Sequence, residues 1–99
     1  MECVSPISGR RFVSTIYDND MDSIGAKVLQ RCIDLSIRYN ALNDAMVAFQ
    51  DDPSVGFPGG MSEGEAEREL RTAKNDLSNQ ENTINNMIHM IDIIGIGSL

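Results

Sequence analysis

Residues of the types that usually carry chemistry or nucleic-acid binding are scarce in this chain of 99 residues. It has no Trp, two Tyr, three Phe and a single His. Such a sequence offers no aromatic platform on which single-stranded bases stack. Basic residues are also few, since 8 Lys and Arg stand against 15 Asp and Glu, for a formal net charge of −7. Because phosphate binding depends on clustered Lys and Arg, we expect no nucleic-acid partner.

The lone histidine and the two cysteines give no sign of a catalytic or metal site. His89 is followed three residues later by Asp92, and two ligands do not make a metal site. No nucleophile with a nearby base is evident, so the sequence predicts a protein that is not an enzyme and uses no cofactor and no metal. Cys3 and Cys32 are an even pair, but no other feature indicates a disulfide-framed secreted domain. We therefore expect both thiols to be free.

Targeting signals are missing as well. The N-terminus has neither the basic region nor the apolar core of a Sec signal peptide. The most apolar run, residues 84–99, is interrupted by polar residues and is too short for a bilayer. We expect no Sec signal and no membrane span, and a protein that is either cytoplasmic or exported by a dedicated apparatus.

Two long stretches carry apolar residues at alternating steps of four and three, which is the period of coiled-coil packing. The first seam is Val28, Cys32, Leu35, Tyr39, Leu42, Met46 and Phe49. The second is Ala66, Leu70, Ala73, Leu77, Gln80, Ile84, Met87, Ile91 and Ile94. The predicted fold is all-α: an antiparallel two-helix hairpin, coiled-coil-like, over residues 20–99, with an extended N-terminal arm over residues 1–19.

Capping residues indicate where the helices begin and end. Asp20 is the predicted N-cap of the first helix, which we expect over about residues 20–52, before Pro53. A connector rich in Gly and Pro follows, at residues 53–61. Ser62 begins a capping box, and the second helix is predicted over about residues 62–94. In the arm, a run of β-forming residues has no evident partner strand, so we expect an extended segment packed on the helices.

Gln80 interrupts the second seam with a polar amide. A buried amide without a partner is costly, so we expect Gln80 to bond the hydroxyl of Tyr39 or a polar group of another chain. In this interpretation Gln80 and Tyr39 set the register. The same register brings Arg38 within reach of Asp76 or Glu69.

More apolar surface is present than one antiparallel partner helix covers. Leu29, Ile33 and Ile37 form a second stripe on the first helix, and the end of the second helix is apolar on most sides. Such a surplus usually marks a protein interface, and we expect a homo-oligomer. The predicted oligomer interface comprises Leu29, Ile33, Ile37, Ile84, Met87, Ile88, Ile91 and Ile94. The alternative is that the arm covers the surplus within the chain.

The C-terminal sequence Glu81-Asn82-Thr83-Ile84-Asn85-Asn86-Met87-Ile88-His89-Met90-Ile91, continued to Leu99, resembles the closing helix of type III secretion needle subunits. Those proteins are small helical hairpins that polymerise into a hollow filament and lack a Sec signal. The resemblance implies a structural, self-assembling subunit of a bacterial secretion apparatus. The chain departs from that family in its longer, Gly-rich connector and in its Tyr39-Asn40 pair, which lies in the first helix.

Two other functions stay open. One is a small acidic regulatory or inhibitory module, of phage or bacterial type, which binds another protein with a basic or apolar surface as a dimer or small oligomer. The other is a secreted hairpin of the Trp-x-Gly class, in which Phe57-Pro58-Gly59 replaces the usual turn. Open-ended growth with concentration favours the filament, whereas a closed small oligomer favours the binding module.

Overall fold

A computed structural model describes residues 2–14, 24–88 and 93–96. Two long helices, α1 (Ile24–Asp51) and α2 (Glu63–Met87), form an antiparallel hairpin. The connector between them holds one short 3-10 turn, Pro58–Gly60. The helical hairpin predicted from the two seams is therefore confirmed. Neither helix has an apolar stretch long enough to cross a membrane.

Three short strands from the two ends of the chain form an antiparallel sheet. The strands are β1 (Glu2–Val4), β2 (Arg11–Ser14) and β3 (Ile93–Ile96). Their order is β1-β2-β3, so β2 is the central strand and has a partner on each side. The prediction of a purely all-α fold is wrong in this respect. The arm is a β-hairpin rather than an unpaired extended segment, and its third strand comes from the C-terminal part of the chain.

A tight turn pairs β1 with β2. The amide of Ser5 donates to the carbonyl oxygen of Arg10 at 2.9 Å. Gly9 has a φ of 74°, a left-handed conformation that glycine adopts without a steric penalty. The hydroxyl oxygen of Ser5 accepts hydrogen bonds from the amides of Ile7 and Ser8, at 3.2 and 3.3 Å. These local bonds give β2 the partner strand that the sequence did not reveal.

The second helix ends earlier than expected. It stops at Met87, and Ile93–Ile96 is a strand, so the prediction of a helix to residue 94 is wrong. Isoleucines fit a pleated sheet well because they are β-branched. Gly95 allows β3 to pack closely on the end of α2, since a Cβ at this position would lie 2.5 Å from Cδ1 of Ile88. Pairing with β2 outweighs the helical period in this segment.

The end of α1 and the start of α2 match their predicted signals. The hydroxyl oxygen of Ser62 accepts from the amide of Glu65 at 3.3 Å, which confirms the N-cap of α2. The first helix ends at Asp51, just before Pro53. The predicted cap at Asp20 lies outside the described residues.

The core lies where the sheet packs on the helices. Its buried residues are Cys3, Phe12, Leu29, Cys32, Leu77, Ile84 and Ile93. They come from all three strands and both helices, so the sheet closes one end of the hairpin. At the other end, the ring of Phe57 in the connector packs on Phe49 of α1, with ring centroids 4.8 Å apart.

Candidate functional site

Two polar contacts between the helices define the hairpin register. Arg38 of α1 forms an ion pair with Glu69 of α2, as predicted. The side-chain amide of Gln80 donates to the carbonyl oxygen of Val28 at 3.2 Å. The expected bond from Gln80 to the hydroxyl of Tyr39 is therefore wrong, whereas a bond to another chain stays a prediction. Tyr39 instead packs half-buried against the core, and the amide of Gln80 ties α2 to the first turns of α1.

The residues of the predicted oligomer interface fall into four groups in the structure. Leu29 and Ile84 have no exposed surface and are core residues of the single chain. Ile33, Met87 and Ile88 are half-buried. Ile37 and Ile94 are exposed, at 62% and 52%. Ile91 lies outside the described residues.

Burial of Leu29 corrects part of the interface prediction. The sheet covers the start of the α1 stripe, with Cys3 and Phe12 in the same buried cluster as Leu29. The alternative in which the arm covers the surplus thus holds for this portion of the stripe. Leu29 and Ile84 are unavailable to a second copy, whereas Ile37 and Ile94 remain accessible.

The side of the sheet that faces away from the helices forms a second surface, which we call the outer sheet face. Successive strand residues point to opposite sides of a sheet, so the neighbours of buried Cys3, Phe12 and Ile93 point outward. The described side chains of the outer sheet face are Glu2, Val4, Arg11, Val13 and Ile94. This surface was missed in the sequence because β1 and β3 were not recognised as strands.

Most of the outer sheet face is apolar. Val4 and Ile94 are each 52% exposed, and half-buried Val13 faces Ile94 across the ladder. Glu2 and Arg11 form an ion pair of 2.6 Å on the same side. An antiparallel sheet with one solvated face usually carries polar residues there. Three aliphatic side chains on adjacent strands are therefore an unusual exposed surface for a sheet of this size.

The opposite side of β1 holds a pair of thiols. Sγ of Cys3 lies 2.8 Å from Sγ of Cys32, and both residues are buried. The hydroxyl of Ser36 donates to the carbonyl oxygen of Cys32 at 2.8 Å and lies 3.8 Å from Sγ of Cys3. Both thiols are free in the structure, and no pattern in the sequence predicted that they lie together.

The two thiols share one hydrogen bond, which drives their pKa values apart. The hydrogen bond with Cys32 lowers the pKa of the Cys3 thiol, because the Cys32 thiol can donate to the Cys3 thiolate and stabilise it. The pKa of Cys32 is raised by its bond to Cys3 and by burial. Cys3 is therefore the thiol that ionises first.

Glu81 is a buried carboxylate near this pair. It lies on α2, is 7% exposed, and accepts a hydrogen bond of 2.6 Å from the hydroxyl of Ser8 in the β1–β2 turn. Its negative charge raises the pKa of both Cys3 and Cys32. The described residues contain no group of three His, Cys, Asp or Glu side chains that is placed to hold a metal ion. The chemistry available in this part of the chain is that of the thiol pair.

Two features thus stand out, the apolar outer sheet face and the buried pair of thiols. They lie on opposite sides of the same short strand, β1. Comparison with protein-family models, with curated proteins and with solved structures finds no match for this chain.

Proposed function

We propose that the protein is a non-enzymatic, self-associating helical hairpin, and that a second copy of the chain binds the outer sheet face. The observation that carries the proposal is the apolar surface of exposed Val4 and Ile94 with half-buried Val13, on three adjacent strands. The backbones of β1 and β3 are the two edges of that sheet, and edge strands of apolar sequence favour pairing with another chain.

Charge favours a second copy over a basic partner at this surface. The chain carries a net charge of −7, so two copies repel each other over most of their surfaces. The described outer sheet face holds one carboxylate, Glu2, and one guanidinium, Arg11, paired with each other. It is therefore a neutral surface where two acidic copies approach without added repulsion. A basic partner gains no charge complementarity there.

The expected strength of association follows from the area that remains exposed. Full burial of one large aliphatic side chain stabilises by about 1.5–3 kcal/mol, and half-exposed side chains gain about half of that. A twofold contact buries Val4, Val13 and Ile94 twice, which gives roughly 5–9 kcal/mol. The entropic cost of association is about 4–15 kcal/mol. We therefore expect association that depends steeply on concentration.

The finer hypothesis is that the hairpin is a filament subunit of a bacterial secretion apparatus. Its support is the hairpin layout and the resemblance of the C-terminal sequence to needle subunits. Of the resembling segment, residues 81–87 lie in α2, whereas 93–96 form β3. A filament also requires a head-to-tail contact that does not close on itself.

The test is a charge substitution on the outer sheet face with a matched control elsewhere. Ile94→Asp places a carboxylate at an outward position of β3 that is 52% exposed. Val55→Asp places the same group in the connector, at a residue that is 58% exposed. Ile37→Asp tests the remaining exposed part of the α1 stripe. The molar mass of each variant is measured by light scattering after gel filtration, at several concentrations.

The parent and Val55→Asp are expected to gain mass with concentration, while Ile94→Asp stays at the mass of one chain. If Ile37→Asp dissociates the assembly and Ile94→Asp does not, the α1 surface is the interface and the outer sheet face is not. A parent that is one chain at every concentration refutes self-association. Mass that levels off at a dimer supports the closed binding module over the filament.

A further inference from the structure

The sulfur atoms of Cys3 and Cys32 lie closer together than atoms in van der Waals contact normally do. Their Sγ atoms are 2.8 Å apart, whereas even two unbonded carbon atoms prefer about 3.5–4.0 Å. A disulfide bond is about 2.05 Å long, so a movement of less than about 1 Å separates the pair from bonding distance. Both residues belong to the buried core. Each sulfur therefore has the other thiol as its neighbour for thiol–disulfide chemistry.

We propose that Cys3 and Cys32 form an intramolecular disulfide that fastens β1 to α1 when the protein meets a small-molecule disulfide such as oxidised glutathione. The Cys3 thiolate attacks one sulfur of that oxidant, whose S–S bond breaks, and one half leaves as a thiolate. That thiolate takes the proton of Cys32. The sulfur of Cys32 then displaces the second half from Cys3. That half leaves as a thiolate and takes from water the proton that Cys3 released on ionising. Two electrons pass to the oxidant, which ends as two thiols.

The order of attack follows from the environment of the two sulfurs. The hydrogen bond with Cys32 lowers the pKa of Cys3, and the thiolate is the nucleophile in thiol–disulfide exchange. Cys32 lies on α1 beneath the sheet and has no exposed surface. Cys3 is therefore the attacking thiol and Cys32 the resolving one.

The position of Cys3 also provides a route for the oxidant. Cys3 is 3% exposed in the closed structure, so β1 must open before an oxidant reaches it. β1 is an edge strand of three residues with one neighbouring strand, and short edge segments open locally without global unfolding. Closure by the disulfide then joins residues that are 29 positions apart, which restricts the unfolded chain.

The test begins with the unaltered chain, incubated at low concentration with a mixture of reduced and oxidised glutathione. After acid quenching and alkylation, intact mass spectrometry is expected to show the loss of two hydrogens per chain, and digestion to show one peptide pair linking Cys3 to Cys32. The oxidised protein is expected to melt about 10–20 °C higher than the reduced one. Addition of dithiothreitol should restore the lower melting temperature.

Two variants separate the geometry of the pair from general thiol reactivity. Cys3→Ala leaves Cys32 without a partner, so oxidant should not change its melting temperature. The double variant Cys3→Ala/Val4→Cys moves the thiol by one residue, to the outer sheet face, where it is expected to form a mixed disulfide with glutathione and no link to Cys32. A parent chain that keeps both thiols, ends as a mixed disulfide, or gains no thermal stability on oxidation overturns the proposal.

Discussion

Truncation of Phe12 is the sharpest test of how the terminal sheet stabilises the hairpin. Phe12 lies on the central strand, faces Cys3 and Gly95 across the ladder, and has no exposed surface. The guanidinium carbon of Arg10 lies 5.3 Å from the centre of its ring. Phe12→Ala removes the ring from the centre of the core and leaves a cavity. A substitution of this type costs about 3–5 kcal/mol, and the cation–π contact adds about 0.5–1 kcal/mol.

The matched control is Phe49→Ala, which removes the same ring at the connector end of the hairpin. Phe49 is half-buried and contacts Phe57, so we expect a loss of roughly 1–2 kcal/mol. Urea unfolding followed by circular dichroism at 222 nm gives both values. Native domains of this size have about 5–15 kcal/mol of stability, so Phe12→Ala should remain folded but weakened. If it costs no more than Phe49→Ala, the sheet does not close the hairpin as described.

Three further predictions follow from single contacts. Gln80→Leu loses the hydrogen bond to Val28, worth about 0.5–1.5 kcal/mol, and gains apolar contact, so the free energy of unfolding in urea should change by no more than about 1 kcal/mol. Because the bond lies within one chain, sedimentation should show the same oligomeric state as the parent. Arg38→Ala removes an exposed ion pair and should cost less than about 1 kcal/mol in the same assay. Bonds from Ser54 lower the pKa of Asp52 below its ordinary value of 3.8, so their stabilisation is present above that value and is lost as the pH falls through the folded pKa. Ser54→Ala should raise the Asp52 pKa in an NMR titration, and an unchanged titration would contradict the assignment.

The helices were predictable because their signals are local. The seams repeat over many turns, and the Ser62 cap acts within three residues of α2. The ion pair of Arg38 with Glu69 followed from pairing two such seams in opposite directions. These features need no knowledge of distant parts of the chain.

The third strand was not predictable in the same way, because the pairing of β3 with β2 is non-local. Ile94 fits the helical period of the second seam as well as it fits a strand, and its partner Val13 lies about 80 residues earlier in the chain. Whether residues 93–96 form a helix or a strand depends on whether β2 lies beside them and can pair with them. Cys32 was predicted in the apolar seam of the first helix, and it does lie in the core. Its contact with Cys3 could not be predicted, because that contact depends on the position of β1.

Both proposals depend on the sheet, since the outer sheet face and the thiol pair lie on its two sides. The most direct measurement is the backbone NMR assignment of Ile93–Ile96 with its cross-strand proton contacts. We expect Cα shifts typical of strands, and nuclear Overhauser effects linking Phe12 with Gly95 and Val13 with Ile94, as the register requires. Helical Cα shifts from Ile93 onward, without contacts to β2, would contradict the three-stranded sheet and the proposal that a second copy binds the outer sheet face.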